Sequence, residues 1–319
     1  MKPALGYLDA AGPRAHTILA LTWFTLIISI LVCLIICVLL WIAVRRAKSS
    51  GGAAETRSIP IKRGSSGIRW ISVGLWISAV PLLATLVWTM VALAHVAGPP
   101  SHPGLVLDVT SHQWWWEVNY PSPRPAEAFT TANEIHIPVG VPVLVRLHAG
   151  DVIHSFWVPK LSGKTDVIPG QTNLSWLQAD APGRFRGQCS EFCGFQHANM
   201  GFEVVAQTPA EFEQWRAAQL QTAPAAATPA QLRGQALVEY RCGLCHEVRG
   251  TDARAHSAPD LTHLMSRRTL AAGRLINNPG NLAGWIEDPQ GIKPGNLMPN
   301  QYLSSQQLAD VQAYLELLQ

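Results

Sequence analysis

Hydrophobic and polar positions change period three times along the chain. Thr17 to Val44 is apolar throughout, with no charge between Arg14 and Arg45. At ~1.5 Å rise per residue such a helix reaches roughly 40 Å, enough to cross a bilayer core of about 30 Å with some tilt. It is too long for the apolar region of a signal peptide, so it predicts an anchor. Trp70 to Val96 is a second uncharged run, with Pro81 inside it. The proline frees one carbonyl and predicts a kink that membrane spans tolerate. From Gly104 to about Gln207 the period drops to two. Val143, Val145 and Leu147 alternate with Leu144, Arg146 and His148, and Leu105–Val109, Glu134–Ile137 and Phe202–Val205 are further short runs. Pro121, Pro123, Pro138–Gly140, Pro169-Gly170 and Pro182-Gly183 punctuate them. That pattern predicts a β-sandwich or small barrel. Phe212–Leu220 reads as a short closing helix. The uncharged, Ala- and Pro-rich 221–230 reads as a linker. Helical spacing returns at Gln231–Tyr240 and at Ser304–Leu318, where Leu308, Val311, Leu315 and Leu318 share a face.

The expected organisation is a two-helix anchor over 1–97 with a basic loop over 45–69, a β domain over 98–220, the linker 221–230, and an α domain over 231–319. Hydrophobic residues make up 48% of the chain, which excludes disorder as a whole-chain reading. A net charge of +3 over 319 residues gives no case for nucleic acid. The charge is unevenly spread: 1–97 hold nine Lys/Arg against two Asp/Glu, 98–222 hold seven against eleven, and 223–319 hold eight of each. Arg45, Arg46, Lys48, Arg57, Lys62, Arg63 and Arg69 face a lone Glu55 between the two apolar runs. Basic short loops stay cytoplasmic, so everything after about residue 98 is expected on the far side, in an oxidising compartment. Cys33 and Cys37, four apart on the first apolar helix, read as small packing residues.

The β domain carries the run Cys189-Ser-Glu-Phe-Cys193-Gly-Phe-Gln-His197-Ala-Asn-Met200, with His154 upstream. Two thiolates, two imidazoles and a thioether suit copper. Two cysteines permit both sulfurs to bridge a copper pair that shares one electron. The alternatives are a Cys189–Cys193 disulfide and a zinc site, the latter with no use for the trailing Met. In the α domain, Cys242-Gly-Leu-Cys245-His246 is the attachment signature of c-type haem. Two thioethers would hold the porphyrin, with His246 under the iron. Met298, in Asn296-Leu-Met298-Pro299, offers a distal ligand, and a His/Met pair raises the haem potential. Met265, His256 and His263 are rival distal ligands. Trp285 reads either as a haem neighbour or as plain core. His95, His102, His136 and His148 have no partner visible in the sequence and read as structural or solvated.

The run C-S-E-F-C-G-x-x-H-x-x-M resembles the dinuclear copper A motif of subunit II of haem–copper oxidases. Asp151-Val-Ile-His154-Ser-Phe, Lys164-Thr-Asp166-Val-Ile-Pro169-Gly170 and Ser111-His-Gln-Trp114-Trp115-Trp116 match that family too. Residues 231–319 resemble a class I cytochrome c. Together they resemble the haem-c-fused, caa-type subunit. The resemblance implies a multidomain membrane protein with two transmembrane α-helices, an all-β cupredoxin-like Greek-key barrel and an all-α cytochrome c domain. It implies copper A ligands His154, Cys189, Cys193, His197 and Met200 with the backbone carbonyl of Glu191. The Glu191 side chain would also reach a magnesium ion at the subunit I interface. Trp114 would lie where electrons arrive over the copper site, against a membrane-interface role for one of the three tryptophans. Asp151 would dock a cationic cytochrome c, against a plain solvated carboxylate. The Pro259 carbonyl would support the proximal His246.

The implied function is electron relay from an external donor, such as cytochrome c or a quinol–cytochrome c reductase, through one covalent haem c and copper A. The acceptor is a haem of subunit I, where oxygen is reduced to water with proton translocation. Subunit III is a further expected partner. The expected location is the bacterial inner membrane, with both redox domains on the periplasmic side. Two other functions fit fewer of the residues: the relay subunit of a copper A nitric oxide reductase, and a membrane-anchored copper assembly protein. One departure from the family stands out. No Asp or Glu lies between Glu55 and Asp108, so the glutamate that opens a proton channel at the second span in many relatives is missing.

Overall fold

Helices form where the charge-free runs stand, and they extend beyond them: α1 spans Pro13–Ser49 and α2 spans Ser66–Val96. The computed structural model describes residues 5–49, 66–98 and 102–319, so most of the expected basic loop, 50–65, lies outside the described residues. Large apolar side chains such as Leu39, Leu40, Ile71 and Leu75 are exposed along both helices, as lipid-facing residues would be. Both helices are long and apolar enough to cross a membrane. Phe24 of α1 lies 4.7 Å from the Trp88 ring of α2. Helix α2 runs unbroken through Pro81, where the Thr85 hydroxyl donates to the Pro81 carbonyl at 2.7 Å. These helices, residues 16–97, form one unit, and residues 1–15 with 98–319 form another.

Ten strands build the β domain: β1 (Leu105–His112), β2 (Trp115–Tyr120), β3 (Phe129–Ala132), β4 (Glu134–Pro138), β5 (Val143–Ala149), β6 (His154–Trp157), β7 (Lys164–Val167), β8 (Asn173–Leu177), β9 (Gly183–Cys189) and β10 (Gly201–Gln207). They form two five-stranded sheets, ordered β3-β2-β1-β5-β8 and β4-β10-β9-β6-β7. The β1–β5 and β4–β10 pairs are parallel and the others antiparallel, a cupredoxin-like arrangement. In the β1–β5 register Leu107 faces Val145 and Val109 faces Leu147, so the alternating apolar residues of both strands enter one core. Trp116 sits centrally, with ring centroids 5.7 Å from Phe156 and 5.3 Å from Phe202. Gly187 of β9 has no side chain because the Phe202 ring occupies that space. The segment up to Ala15, which includes the first residues of α1, also packs on this domain: the Ala11 amide donates to Lys160 O at 2.8 Å, and Arg14 Nη1 donates to Trp176 O at 2.9 Å.

Helix α3 (Pro209–Gln219) opens with a Thr208–Glu211 capping box and buries Phe212 against the sandwich. Trp215 of α3 stacks on His136 at 4.0 Å, so His136 is a packed residue, hydrogen-bonded to Gln207. The stretch read as a linker is held in place rather than loose. Ala223 N donates to Arg249 O, His263 Nε2 faces Gln221 O at 3.2 Å, and Ala223 and Ala226 pack against the C-terminal core. Beyond it come α4 (Pro229–Leu237), a π turn over Val238–Cys242, β11 (Thr269–Leu270), β12 (Leu275–Ile276), α5 (Pro279–Glu287), α6 (Pro289–Ile292) and α7 (Ser305–Leu315). The β11–β12 hairpin and an isolated antiparallel bridge between Glu247 and Arg254 depart from an all-helical reading. Helix α4 crosses α7 at Gly234, whose missing side chain admits the Asp310 backbone.

Candidate metal and haem sites

Strands β6 and β9 pair through Phe156 and Cys189, which brings His154 beside the loop that follows β9. That loop turns back at Gly194, a left-handed glycine at φ 112°, into the short 3-10 turn His197–Asn199 and then β10. Two strands and a tight turn therefore fix the whole cluster. The Cys189 and Cys193 sulfurs lie 3.7 Å apart, so they are not a disulfide. His154 Nδ1 lies 3.8 Å from Cys189 Sγ, and His197 Nδ1 lies 3.6 Å from Cys193 Sγ. Met200 Sδ is 3.8 Å from Cys193 Sγ, and the Glu191 carbonyl is 3.2 Å from Cys189 Sγ. His154, Cys189, Cys193 and Met200 are buried. The hydrogen bond from Cys193, together with His154 and nearby backbone groups, holds the Cys189 thiol well below its usual range, while Cys193 is pushed up. All six expected ligands thus converge, with one sulfur predisposed to the thiolate that a soft metal needs.

Around the cluster stand Asp151 and Trp114, both singled out in the sequence, and Gln113, which was not. His154 Nε2 faces Asp151 Oδ1 at 2.8 Å, and the other Asp151 oxygen accepts from the Gln113 amide at 2.5 Å. Asp151 is therefore placed to orient the His154 ring and is not a free surface charge. Trp114 Nε1 donates to Cys193 O at 3.0 Å, as does Gln113 Nε2 at 2.7 Å. Trp115 stacks on His112 and Trp116 lies in the core, so the three tryptophans serve three different surroundings. The Glu191 carboxylate is exposed. Among the described residues the one cluster of metal-holding side chains is His154, Cys189 and Cys193, so a magnesium site at Glu191 has no support within this chain.

In the C-terminal domain the π turn Val238–Cys242 ends on the first of the two expected attachment cysteines, Cys245 follows three residues on, and the two are unbridged. His246 Nδ1 lies 2.6 Å from the Pro259 carbonyl, which leaves Nε2 free for iron. Burial holds this imidazole below its usual pKa and so neutral, the form that binds metal. Arg241 Nη1 donates to Gln301 O at 2.8 Å and ties the Cys242 turn to the Met298 loop. Tyr240, Leu244, Leu297 and Tyr302 expose large apolar side chains on these two segments, the surface a porphyrin would cover. The rival distal ligands are occupied elsewhere. Both His263 ring nitrogens face carbonyls, those of Gln319 and Gln221; His256 pairs with Glu247 at the surface; Met265 packs against the hydrophobic core. The residues present fit a covalent haem held by Cys242, Cys245, His246 and Met298.

A family model described as "Cytochrome C oxidase subunit II, periplasmic domain" matches residues 123–207, and one described as "Cytochrome c" matches 231–319. Cytochrome c oxidase subunit 2 of Alkalihalophilus pseudofirmus is 35% identical over 294 residues, covering 92% of this chain and 84% of that protein. The chain belongs to the cytochrome c oxidase subunit II family. The subunit 2 of Bacillus subtilis is 30% identical over 319 residues, covering 94% of this chain and 87% of that one. A crystal structure of the periplasmic domain of subunit II of cytochrome oxidase of Bradyrhizobium japonicum is 32% identical, covers 37% of this chain and 94% of its own, and superposes with a TM-score of 0.35. As a cytochrome c oxidase subunit II with a cytochrome c domain, the chain takes part in electron transfer in a haem–copper oxidase.

Within this subunit II the two redox domains touch. Gln196 Nε2, next to the expected ligand His197, donates to Pro294 O at 2.8 Å. The Gly201 amide, next to the expected ligand Met200, donates to Ala272 O at 2.9 Å. Arg268 Nη1 lies 3.6 Å from Glu203, and the Lys293 ammonium donates to Trp114 O at 2.7 Å. Trp114 is consequently covered by the cytochrome c domain and only 8% exposed.

Proposed function

We propose that this chain is the electron-relay subunit of a haem-c-fused cytochrome c oxidase. Electrons from an external donor, such as a cytochrome c or a quinol–cytochrome c reductase, would reach the cytochrome c domain, cross to the copper A domain and leave for a haem of subunit I. Oxygen would be reduced to water there, with proton translocation. The reading rests on one observation above the others: two sulfurs 3.7 Å apart, ringed by His154, His197, Met200 and the Glu191 carbonyl, in the same compact unit as a haem-attachment motif.

When bound, a dinuclear copper and a haem c would each supply reversible one-electron chemistry. The chain's own residues do the rest. Cys189, Cys193, His154, His197, Met200 and the Glu191 carbonyl would together hold the copper. Asp151 fixes the His154 ring and so limits reorganisation. Cys242, Cys245, His246 and Met298 would hold the haem, with Pro259 orienting the imidazole. Trp114 bonds to Cys193 O and lies under the cytochrome c domain, which supports a place for it on the path between them. Phe192 and Phe195, 75% and 78% exposed beside the copper ligands, offer an apolar face to subunit I.

Two apolar helices and a basic loop support a two-pass anchor in the bacterial inner membrane, with both redox domains periplasmic. Subunit III would join the same complex. The test is purification of the chain with its large subunit. Oxygen consumption driven by reduced cytochrome c is expected. Consumption of nitric oxide without oxygen would reassign the partner.

A further inference from the structure

Residues 223–319 contain seven arginines and one lysine, Lys293. It is 3% exposed, and its ammonium meets two carbonyls from different domains: Trp114 O at 2.7 Å and Ala271 O at 3.1 Å. No carboxylate pairs with it in that contact. Burial pushes its pKa down to about 7. A buried amine bound only to carbonyls is a poor source of net stability, because an apolar side chain of similar volume avoids the desolvation penalty. What it supplies is direction: three donors on one atom fix two backbones relative to each other.

The acceptors on the cytochrome c side are themselves held in a rare conformation. Ala271 and Ala272 form the tip of the β11–β12 hairpin at φ 52° and 60°, the left-handed region that non-glycine residues avoid. Such strain persists where surrounding contacts over-determine it. Of these two strained carbonyls, Ala272 O accepts from the Gly201 amide across the interface, and Ala271 O holds Lys293 Nζ from within the cytochrome c domain while the same ammonium reaches across to Trp114 O. On the copper side, the Trp114 ring lies between two glycines, Gly194 of the copper loop and Gly295 of the Met298 loop. A side chain at Gly194 would crowd the ring, and one at Gly295 would touch it.

We infer that Lys293 is a positioning residue that seats the Met298 loop of the cytochrome c domain on the copper loop with Trp114 clamped between them. The inference rests on the relay reading above and adds which face of the cytochrome c domain gives up the electron. The step is a one-electron transfer: the cytochrome c domain is oxidised by one electron, the copper A domain is reduced by one, and no bond forms or breaks. Lys293 touches neither centre and acts through the backbone of Trp114.

The test uses the full chain loaded with both cofactors and compares wild type with Lys293→Met and Lys293→Gln. Two quantities are read: the intramolecular haem-to-copper transfer rate after rapid reduction, and amide hydrogen exchange over 112–116, 200–202 and 293–297. Haem and copper spectra report loading. For Lys293→Met, unchanged spectra, faster exchange in those segments and a transfer rate lower by roughly tenfold or more are expected, since small misplacements of reacting centres are amplified in rate. Lys293→Gln keeps a donor on a shorter stem and is expected to fall between; it carries the test if the Met variant does not load. Wild-type exchange, or a wild-type rate despite faster exchange, overturns the seat. A slower rate with unchanged exchange overturns it too, since the loss then lies in the centres themselves. Absence of haem-to-copper transfer in wild type would instead overturn the relay reading, while the exchange data would still decide whether Lys293 holds the domains together.

Discussion

Asp151 Oδ1 stands 2.8 Å from His154 Nε2, on the side of the ring away from Cys189, and the same carboxylate accepts from the Gln113 and Val152 amides. A carboxylate behind a metal-binding imidazole fixes the ring's tautomer and orientation. Asp151→Asn is therefore expected to weaken copper binding by roughly 10–100-fold while leaving haem attachment intact. Chelator competition on the full chain measures this, and unchanged affinity would leave Asp151 a mere surface charge.

Met298 lies on the loop tied to the Cys242 turn by Arg241 and Gln301, and the competing ligands are bonded or packed elsewhere. Met298→Ala should keep the haem covalently attached through Cys242 and Cys245 but lower its reduction potential. Potentiometric titration is the check. A wild-type potential would show that the axial ligand lies elsewhere.

Glu134, buried at the start of β4, is pushed up by burial but held below the usual carboxylate range by His136 and by Arg184 at 2.9 Å. A depressed carboxylate stabilises the fold above its unfolded pKa, near 4.5, and that contribution is lost as pH falls through the lower folded value. Thermal unfolding against pH should show an acid limb below about pH 4.5 that flattens in Glu134→Gln. An unaltered limb in the variant would remove Glu134 as its source.

Gly234 lets α4 approach the α7 backbone at Asp310, with Tyr314 alongside. Gly234→Ala should force the helices apart and destabilise the cytochrome c domain by about 1–3 kcal/mol, despite the better helix propensity of alanine. Denaturant unfolding followed at the haem band reads this directly, and a neutral or stabilising effect would contradict the close crossing.

Local chemistry was readable from the chain; contacts between distant segments were not. The spacing Cys189, Cys193, His197 and Met200 already contains a site, because one loop carries four ligands. His154 also stood out, by its own short motif. The period-two runs located the strands, but not the parallel pairings of β1 with β5 and β4 with β10, which depend on crossovers that no local pattern records. The β11–β12 hairpin escaped notice because each strand is only two residues long, too short for a period to show, although Gly273 stands in its turn. Segment 221–230 looked loose by composition, yet the Ala223 amide bonds to Arg249 O, His263 faces Gln221 O, and its last two residues open α4. Lys293 was present as a lone lysine among arginines, and only its position under Trp114 gives that choice a meaning.

The most direct test of the account is copper stoichiometry combined with the electron-spin spectrum of the reconstituted full chain. A pair of copper ions per chain and hyperfine splitting over two equivalent nuclei are expected, both lost in Cys189→Ser with the haem bands intact. A single copper per chain, with the splitting of one cupric nucleus, would contradict the shared-sulfur centre and with it the relay.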